Sequence, residues 1–291
     1  MIFLSTGGER HNTAAQTALR FFDNGIQHVE LSGGAYSRCY QKELKGLPQE
    51  MVLQLHNYFP PPKIPFVFNL ASFNLEIASQ SIELVRSAIR LAVKLNRPIY
   101  SFHAGFRMDP AVNELGCQLG SHALLPTDVA LDIFGERVAL LAEEARKEGV
   151  TLLIENNVIN KANLEVYGED PLLFTDPDEI ASFMERAPSN VALLIDVGHL
   201  KVSALTRSFD LVGGHEKLKR WVQGYHLSDN SGSTDANDPV SESSWFWDYL
   251  VRGLNYYTLE VYGHPISKLI EQCELAELML AGANKSGIFY E

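Results

Sequence analysis

Eight short apolar segments, separated by longer segments with helical periodicity, constrain the fold of this chain most. They are four to six residues long and do not alternate in the way that half-exposed strands do. Such near-continuous apolar runs are typical of strands buried on both faces, as in parallel sheets. The predicted strands are Ile2–Ser5, His28–Leu31, Val52–His56, Pro98–His103, Thr151–Glu155, Ala192–Asp196, Val222–His226 and Tyr257–Glu260.

The segments between these runs carry apolar residues at helical spacing. In Thr127–Lys147, Thr127 is a candidate N-cap, and Gly149 is a candidate helix end. The other predicted helices are Asn12–Asn24, Ile77–Leu95, Asp176–Arg186, Glu216–Arg220 and Pro265–Ala281. Eight alternating βα units favour a single-domain (β/α)8 TIM barrel over residues 1–291, because a doubly wound sheet usually needs fewer strands and a glycine-rich nucleotide turn.

Composition and charge narrow the range of partners. The chain is 46% hydrophobic and 21% charged, which is enough apolar material for a large core. Its net charge of −12 disfavours nucleic acid, because the phosphates of nucleic acid repel an acidic protein. Cys39, Cys117 and Cys273 lack the spacing of zinc or redox motifs, and no secretory or membrane-spanning segment is recognisable. We therefore expect a cytoplasmic protein that acts on a small molecule and does not bind membranes.

Six of the predicted strands end in a residue that can bind a metal or move a proton. These residues are His56, His103, Glu155, Asp196, His226 and Glu260. They lie between 30 and 52 residues apart, about the length of one βα unit. Because the carboxyl ends of barrel strands meet at one mouth, we expect the six side chains to converge there.

Three carboxylates and several imidazoles at one partly desolvated mouth need a counter-charge, and a divalent cation supplies it. The nitrogen and oxygen donors suit manganese, zinc, cobalt or magnesium. His199 lies three residues after Asp196 and is expected to face the same mouth. The alternative for any single residue is structural: an acidic side chain can cap the next helix, and a histidine can pack with a hydrogen bond.

Four sequence blocks in the second half of the chain resemble the xylose isomerase-like barrel superfamily. They are Leu-Leu-Ile-Glu-Asn-Asn at Glu155, Leu-Ile-Asp-Val-Gly-His at Asp196, Tyr-His-Leu-Ser-Asp-Asn at His226 and Tyr-Thr-Leu-Glu at Glu260. The resemblance to its isomerase branch implies that these four residues bind one divalent ion. It also implies that Glu155 and Glu260 exchange a proton with the carbon next to a carbonyl, and that His199 hydrogen-bonds a substrate oxygen. Such a step fits carboxylate acid–base chemistry beside a Lewis acid.

The superfamily also contains apurinic endonucleases, which hold three zinc ions. In that branch, the histidines that match His56, His103 and His199 take part in the cluster, so these residues are candidates for a second metal site or for the pocket wall. The branch also uses an Asp-x-His pair after the seventh strand, where this chain has Asp235-Ala-Asn237. An amide oxygen is a poor zinc ligand, so the resemblance to the endonucleases is incomplete.

The chain also departs from the ketohexose epimerases of the superfamily, which carry an arginine soon after the seventh-strand histidine. No basic residue follows His226 in Leu-Ser-Asp-Asn-Ser-Gly-Ser. Candidate substrate contacts elsewhere are Arg107, Lys201 and Trp245, because cations can hold a sugar phosphate or a carboxylate and aromatic faces suit sugars.

The prediction is therefore a metal-dependent isomerase or epimerase of a sugar or related polyhydroxy carbonyl compound, with a homo-oligomer as one compatible assembly. The alternatives are a multi-zinc phosphodiesterase, a dehydratase that begins with the same proton abstraction, and a non-catalytic sugar-binding barrel.

Overall fold

The strands of the computed structural model, which describes residues 1–9 and 11–282, close into a parallel eight-stranded barrel in the order of the chain. The predicted (β/α)8 fold is confirmed, and each strand lies within one residue of its predicted bounds. The strands are β1 (Ile2–Ser5), β2 (His28–Leu31), β3 (Val52–His56), β4 (Ile99–His103), β5 (Thr151–Glu155), β6 (Val191–Asp196), β7 (Val222–Leu227) and β8 (Tyr257–Leu259).

Nine α-helices lie in the described ranges and surround the barrel. They are α1 (Ala14–Phe22), α2 (Tyr40–Lys45), α3 (Leu75–Lys94), α4 (Thr127–Lys147), α5 (Lys161–Tyr167), α6 (Pro177–Met184), α7 (Val197–Arg207), α8 (Leu211–Leu218) and α9 (Ile266–Gly282). The large core cluster lies between the helices and the outer face of the barrel. None of the described helices has both the length and the apolar composition needed to cross a membrane.

The helix predictions needed three additions and one extension. The sequence reading did not include α2, α5 and α7, of which the first two are only six and seven residues long. The start of α7 is buried on all sides, so it shows no amphipathic period. Helix α8 begins at Leu211, five residues before its predicted start at Glu216, and therefore includes Gly213 and Gly214. A Cβ at Gly214 would lie 2.9 Å from Pro177 Cγ, so this glycine permits close packing of α8 on α6.

The two ends of α4 give one correction and one confirmation. Thr127 was predicted to cap the helix, but it is the first helical residue, and Pro126 at the N-cap position makes no side-chain capping bond. The φ angle of Pro126 is fixed by its ring, so it orients the chain into the helix without a hydrogen bond. Gly149 follows the C-cap with φ +70°, a left-handed conformation that favours glycine at a helix end.

A pH-dependent term in stability arises at the start of α6. Glu179 Oε1 accepts the N–H of Phe174 at 2.7 Å, and burial raises the pKa of Glu179 to about 7. Since this pKa is higher in the folded than in the unfolded chain, stability falls as the pH rises from the ordinary value of a glutamate through about 7. Glu179→Gln keeps the acceptor oxygen and removes the charge.

We expect Glu179→Gln to stabilise the protein at alkaline pH by roughly 1–2 kcal/mol and to have little effect in acid. Thermal unfolding at two pH values checks this. Glu185→Gln, at an exposed carboxylate next to the end of the same helix, is the control and should not change the pH dependence of stability. A Glu179→Gln protein that follows the wild-type pH profile would contradict the assignment.

Candidate metal centre

The candidate site is the uppermost layer of side chains inside the barrel. Below it, an apolar cluster of Phe3, Leu153, Ala192, Leu194 and Tyr256 fills the barrel interior. Because side chains on a strand return to the same face every two residues, the residue two positions after an inward-facing one also points inward. Glu155 therefore stands above Leu153, and Asp196 stands above Leu194.

Glu155 lies at the centre of this layer and is surrounded by histidines. Its Oε2 atom is 3.3 Å from His56 Nε2 and 3.4 Å from His103 Nδ1. Its Oε1 atom is 3.3 Å from His226 Nδ1 and 3.6 Å from His199 Nδ1. Each carboxylate oxygen thus faces a different pair of imidazoles, so Glu155 can bridge two neighbouring positions.

His226 separates Glu155 from the second glutamate of the predicted pair. Its Nδ1 atom is 3.4 Å from Glu260 Oε2. The other oxygen of Glu260 accepts hydrogen bonds from Ser5 Oγ at 3.0 Å and from Tyr262 Oη at 2.8 Å. These two bonds fix the Glu260 carboxylate and leave Oε2 directed at the site.

Asp196 fills both roles that its sequence position allowed: it caps the next helix, and it faces the site. Its Oδ1 atom accepts the N–H of His199 at 2.7 Å and caps α7, while its buried Oδ2 atom lies 3.9 Å from His199 Nε2. The Nδ1 atom of His199 lies 2.9 Å from the carbonyl oxygen of Asn156, to which it can donate. His199 Nε2 then faces Asp196 and also Asp235 Oδ2, at 3.3 Å.

The site shifts the pKa values of its carboxylates strongly. Burial alone would raise the pKa of Glu155, but His103, His226 and His56 hold it well below its usual range. Burial likewise opposes ionisation of Glu260, and His226 lowers its pKa to about 2.

The pKa values of the imidazoles and of Asp196 are shifted, some upward and some downward. Burial raises the pKa of Asp196 to about 7, against the effect of His199. Burial lowers the pKa of His103 to about 4. Burial would lower the pKa of His226 as well, but Glu30, Glu260 and Glu155 raise it well above its usual value. The cluster therefore balances buried charges against one another, as is common at functional sites.

The donor atoms at the site fit a divalent cation. Both oxygens of Glu155, Asp196 Oδ2, His103 Nδ1 and His226 Nδ1 are buried and make no hydrogen bond to any described residue. Buried polar atoms are normally hydrogen-bonded, so this concentration of unpaired donors and acceptors is typical of a metal site. Three sets of ligand atoms lie within 4.8 Å of one another: His56, Glu155 and His226; His103, Glu155 and His199; and Glu30, His226 and Glu260. Asp196 belongs to none of the three sets, and it joins the cluster through His199.

A cavity of about 380 Å³ opens beside His103 and His199. Phe68, Phe106 and Leu119 contribute apolar walls to it. Polar groups in its lining include Asn157 and Thr234, and Glu114 and Asp235 place carboxylates there. Its volume is in the range of small-molecule sites.

The three other predicted substrate contacts do not line this cavity. Arg107 is buried, and its guanidinium donates to the carbonyl oxygens of Leu125 and Asp170 and pairs with Glu169 at 2.9 Å. Lys201 Nζ donates to Asp229 Oδ1 at 2.6 Å. Both cations are therefore engaged by protein groups.

Trp245 lies in the long segment between β7 and β8 and is half-buried. Its ring contacts those of His215 and Phe246, at centroid distances of 6.1 and 6.0 Å. A packing role accounts for this position.

Two site residues are outside the set predicted from the strand ends, although Asp235 is also the residue that matches the endonuclease Asp-x-His pair. Glu30, in β2, is fully buried and contacts His226, and Asp235 contacts His199. A lone glutamate inside an otherwise apolar strand, Val-Glu-Leu, was the available signal for Glu30, because such a side chain rarely faces a core without a partner.

Solved structures with the same fold include several proteins of the sugar epimerase kind. A D-tagatose 3-epimerase-like protein superposes with a TM-score of 0.68 at 16% identity, covering 97% of this chain and 100% of that one. A xylose isomerase-like barrel protein from Mycobacterium smegmatis, in complex with magnesium, gives 0.67 at 14% identity, with 96% of each chain covered. A Thermus thermophilus protein soaked with ZnCl2 gives 0.57 at 19% identity, covering 95% of this chain and 98% of that one.

The sequence comparisons give a consistent result at the family level. No curated protein matches the chain. The sequence profile described as "Xylose isomerase-like TIM barrel" matches residues 19–260, a range that begins in α1 and ends at Glu260. The chain is a member of the xylose isomerase-like TIM barrel family.

Proposed function

We propose that this protein is a divalent-metal-dependent isomerase or epimerase of a sugar or a related polyhydroxy carbonyl compound. The observation that carries the proposal is the placement of two buried carboxylates, Glu155 and Glu260, at 3.3 and 3.4 Å from the same atom, His226 Nδ1. Two carboxylates directed at one point can remove a proton from a substrate carbon and return one to it.

Glu155, Asp196, His226 and Glu260 would hold the cation. When bound, a divalent ion supplies Lewis-acid stabilisation of the oxyanion that forms when a proton next to a carbonyl is removed. Manganese, zinc, cobalt and magnesium all remain compatible with this set of oxygen and nitrogen donors. His56 and His103, which share Glu155 Oε2, are the proposed ligands of a second ion.

The substrate would enter through the 380 Å³ cavity, whose lining includes His103 and His199, and its carbonyl end would have to reach past them to Glu155 and Glu260. His199 Nε2 would bind a substrate oxygen in place of Asp235 Oδ2, which lies 3.3 Å away, while Nδ1 is placed to donate to the carbonyl oxygen of Asn156. The carboxylates of Glu114 and Asp235 in the lining favour an uncharged sugar over a sugar phosphate.

A phosphodiesterase of the apurinic endonuclease type is a second candidate, which one specific observation favours. His56, His103, His199 and Asp235 gather around the Glu155–Asp196 side of the site, so it is richer in histidine than a site for a single ion requires. The net charge of −12 and Asn237 in place of a histidine oppose it.

Metal analysis combined with isotope exchange separates the two candidates. For an isomerase we expect one or two ions per chain. We also expect solvent deuterium to enter a turned-over ketose or aldose at the carbon next to the carbonyl. Three bound zinc ions together with nicking of abasic DNA would support the phosphodiesterase. Turnover of a sugar without deuterium incorporation would refute proton transfer between Glu155 and Glu260.

A further inference from the structure

Glu30 is a fully buried carboxylate at Nε2 of the His226 ring, whereas Glu155 and Glu260 lie at Nδ1 of the same ring. A single oxygen, Oε2, lies 3.0 Å from His226 Nε2, 2.6 Å from Tyr256 Oη and 2.8 Å from Thr258 Oγ1. A carboxylate can only accept hydrogen bonds, so each of these three groups must donate to it. The directions of the hydrogen bonds around Glu30 are therefore determined.

The first consequence concerns His226. Its Nε2 atom carries the proton donated to Glu30, so in the neutral ring the lone pair is on Nδ1. Nδ1 is the atom that faces Glu155 and Glu260. Glu30 therefore leaves the nitrogen on the metal side of the ring free to act as a ligand.

The second consequence reaches His56 through two hydroxyl groups. Tyr256 uses its only proton on Glu30, so its oxygen must accept from Ser101 Oγ at 2.7 Å. Ser101 in turn uses its only proton, so Oγ must accept from His56 Nδ1 at 2.9 Å. The competing acceptor for Ser101, the carbonyl oxygen of Leu55, is farther away at 3.4 Å. The lone pair of His56 is then on Nε2, which faces Glu155 Oε2 at 3.3 Å.

We propose that Glu30 is a positioning residue that fixes the ligand nitrogen of two histidines, His226 directly and His56 through Tyr256 and Ser101. The inference rests on the proposed metal centre for its purpose, but the tautomers that it requires are properties of the protein alone. A carboxylate behind a metal-binding histidine also makes the imidazole a stronger ligand, and the loss of such partners typically lowers metal affinity 10–100-fold.

The direct test is to determine which ring nitrogen of His226 and which of His56 carries the proton. 15N NMR of protein labelled in histidine measures this. When the 15N shifts show a ring to be neutral, we expect metal-free protein to carry its proton on Nε2 of His226 and on Nδ1 of His56. Zn²⁺-loaded protein should keep both protons in place. A neutral ring with its proton on Nδ1 of His226 or on Nε2 of His56 would overturn the proposal, whether or not the protein binds metal.

Three variants test separate parts of the hydrogen-bonded path from Glu30 to the two histidines. Ser101→Ala should remove the preference of His56 for the Nδ1 proton and leave His226 unchanged. Glu30→Gln keeps an acceptor oxygen but removes the charge, and it should weaken Mn²⁺ binding about 10–100-fold. Thr258→Val is the matched control, because it removes a bond to the same Glu30 oxygen without contacting a histidine. We expect it to keep both tautomers and to change the affinity by less than about threefold.

The variants keep this inference separable from the proposed function. Equal Mn²⁺ affinity in Glu30→Gln and Thr258→Val would refute the role of Glu30 even if the protein isomerises sugars. A wild-type protein that has the expected tautomers but catalyses no isotope exchange would refute the isomerase and leave the role of Glu30 intact.

Discussion

Glu260→Gln is expected to lower the turnover of any sugar substrate by about 10²–10⁴-fold while the fold is retained. The amide oxygen can still accept from Ser5 and Tyr262, which hold this side chain in the barrel mouth. The amide cannot take up and return a proton, so the exchange of the substrate hydrogen with solvent deuterium should be lost together with turnover. The measurement is kcat at saturating Mn²⁺, with circular dichroism to check the fold.

Tyr262→Phe is the control for that experiment. It removes one donor to Glu260 Oε1 but keeps the carboxylate, so we expect a smaller loss than in Glu260→Gln. Near-normal exchange in Glu260→Gln would remove this residue from the proton-transfer pair and leave Glu155 as the single candidate.

Glu155→Gln is expected to have the largest effect on metal binding. In the wild type, a divalent cation at 100 times its Kd adds about 2.7 kcal/mol to the free energy of unfolding, or roughly 4–5 °C in Tm for a chain of this length. Both oxygens of Glu155 face the histidines and lack a hydrogen bond to any described residue. Replacing one of them with an amide nitrogen turns an acceptor into a donor, so we expect most of the metal-dependent rise in Tm to disappear.

Thermal unfolding with and without Mn²⁺, Zn²⁺ or Mg²⁺ checks this result. Glu114→Gln is the control, because Glu114 lines the same cavity but pairs with His122 outside the metal ligand sets. It should keep the full rise in Tm. A Glu155→Gln protein that the cation stabilises as much as the wild type would contradict the proposed centre.

The repeated pattern of the chain allowed the fold to be predicted almost completely. Buried parallel strands read as continuous apolar runs, and each strand end falls within one residue of the prediction. The helices were harder, because α7 carries no polar face near its start and α8 contains two glycines that a propensity argument rejects. In both helices, tertiary packing determines the structure more than local preference does.

The site could be predicted only where position along a strand determines direction. His56, His103, Glu155, Asp196, His226 and Glu260 come together because each is the last or next-to-last residue of a barrel strand or directly follows one. Arg107 and Lys201 lie beyond strand ends, where the path of the chain determines which partner a long side chain reaches. That path directs their charges to Glu169 and Asp229.

The double role of Asp196 makes one wall of the pocket stiffer than the others. Because one oxygen caps α7 and the other faces the site, the helix starts at the barrel wall with no loop between them, and His199 lies within its first turn. That wall has the stiffness of regular secondary structure. The other walls come from the longer segments that follow β3, β4, β5 and β7. Any adjustment to ligands of different shape should therefore occur there, while the side that carries His199 stays fixed.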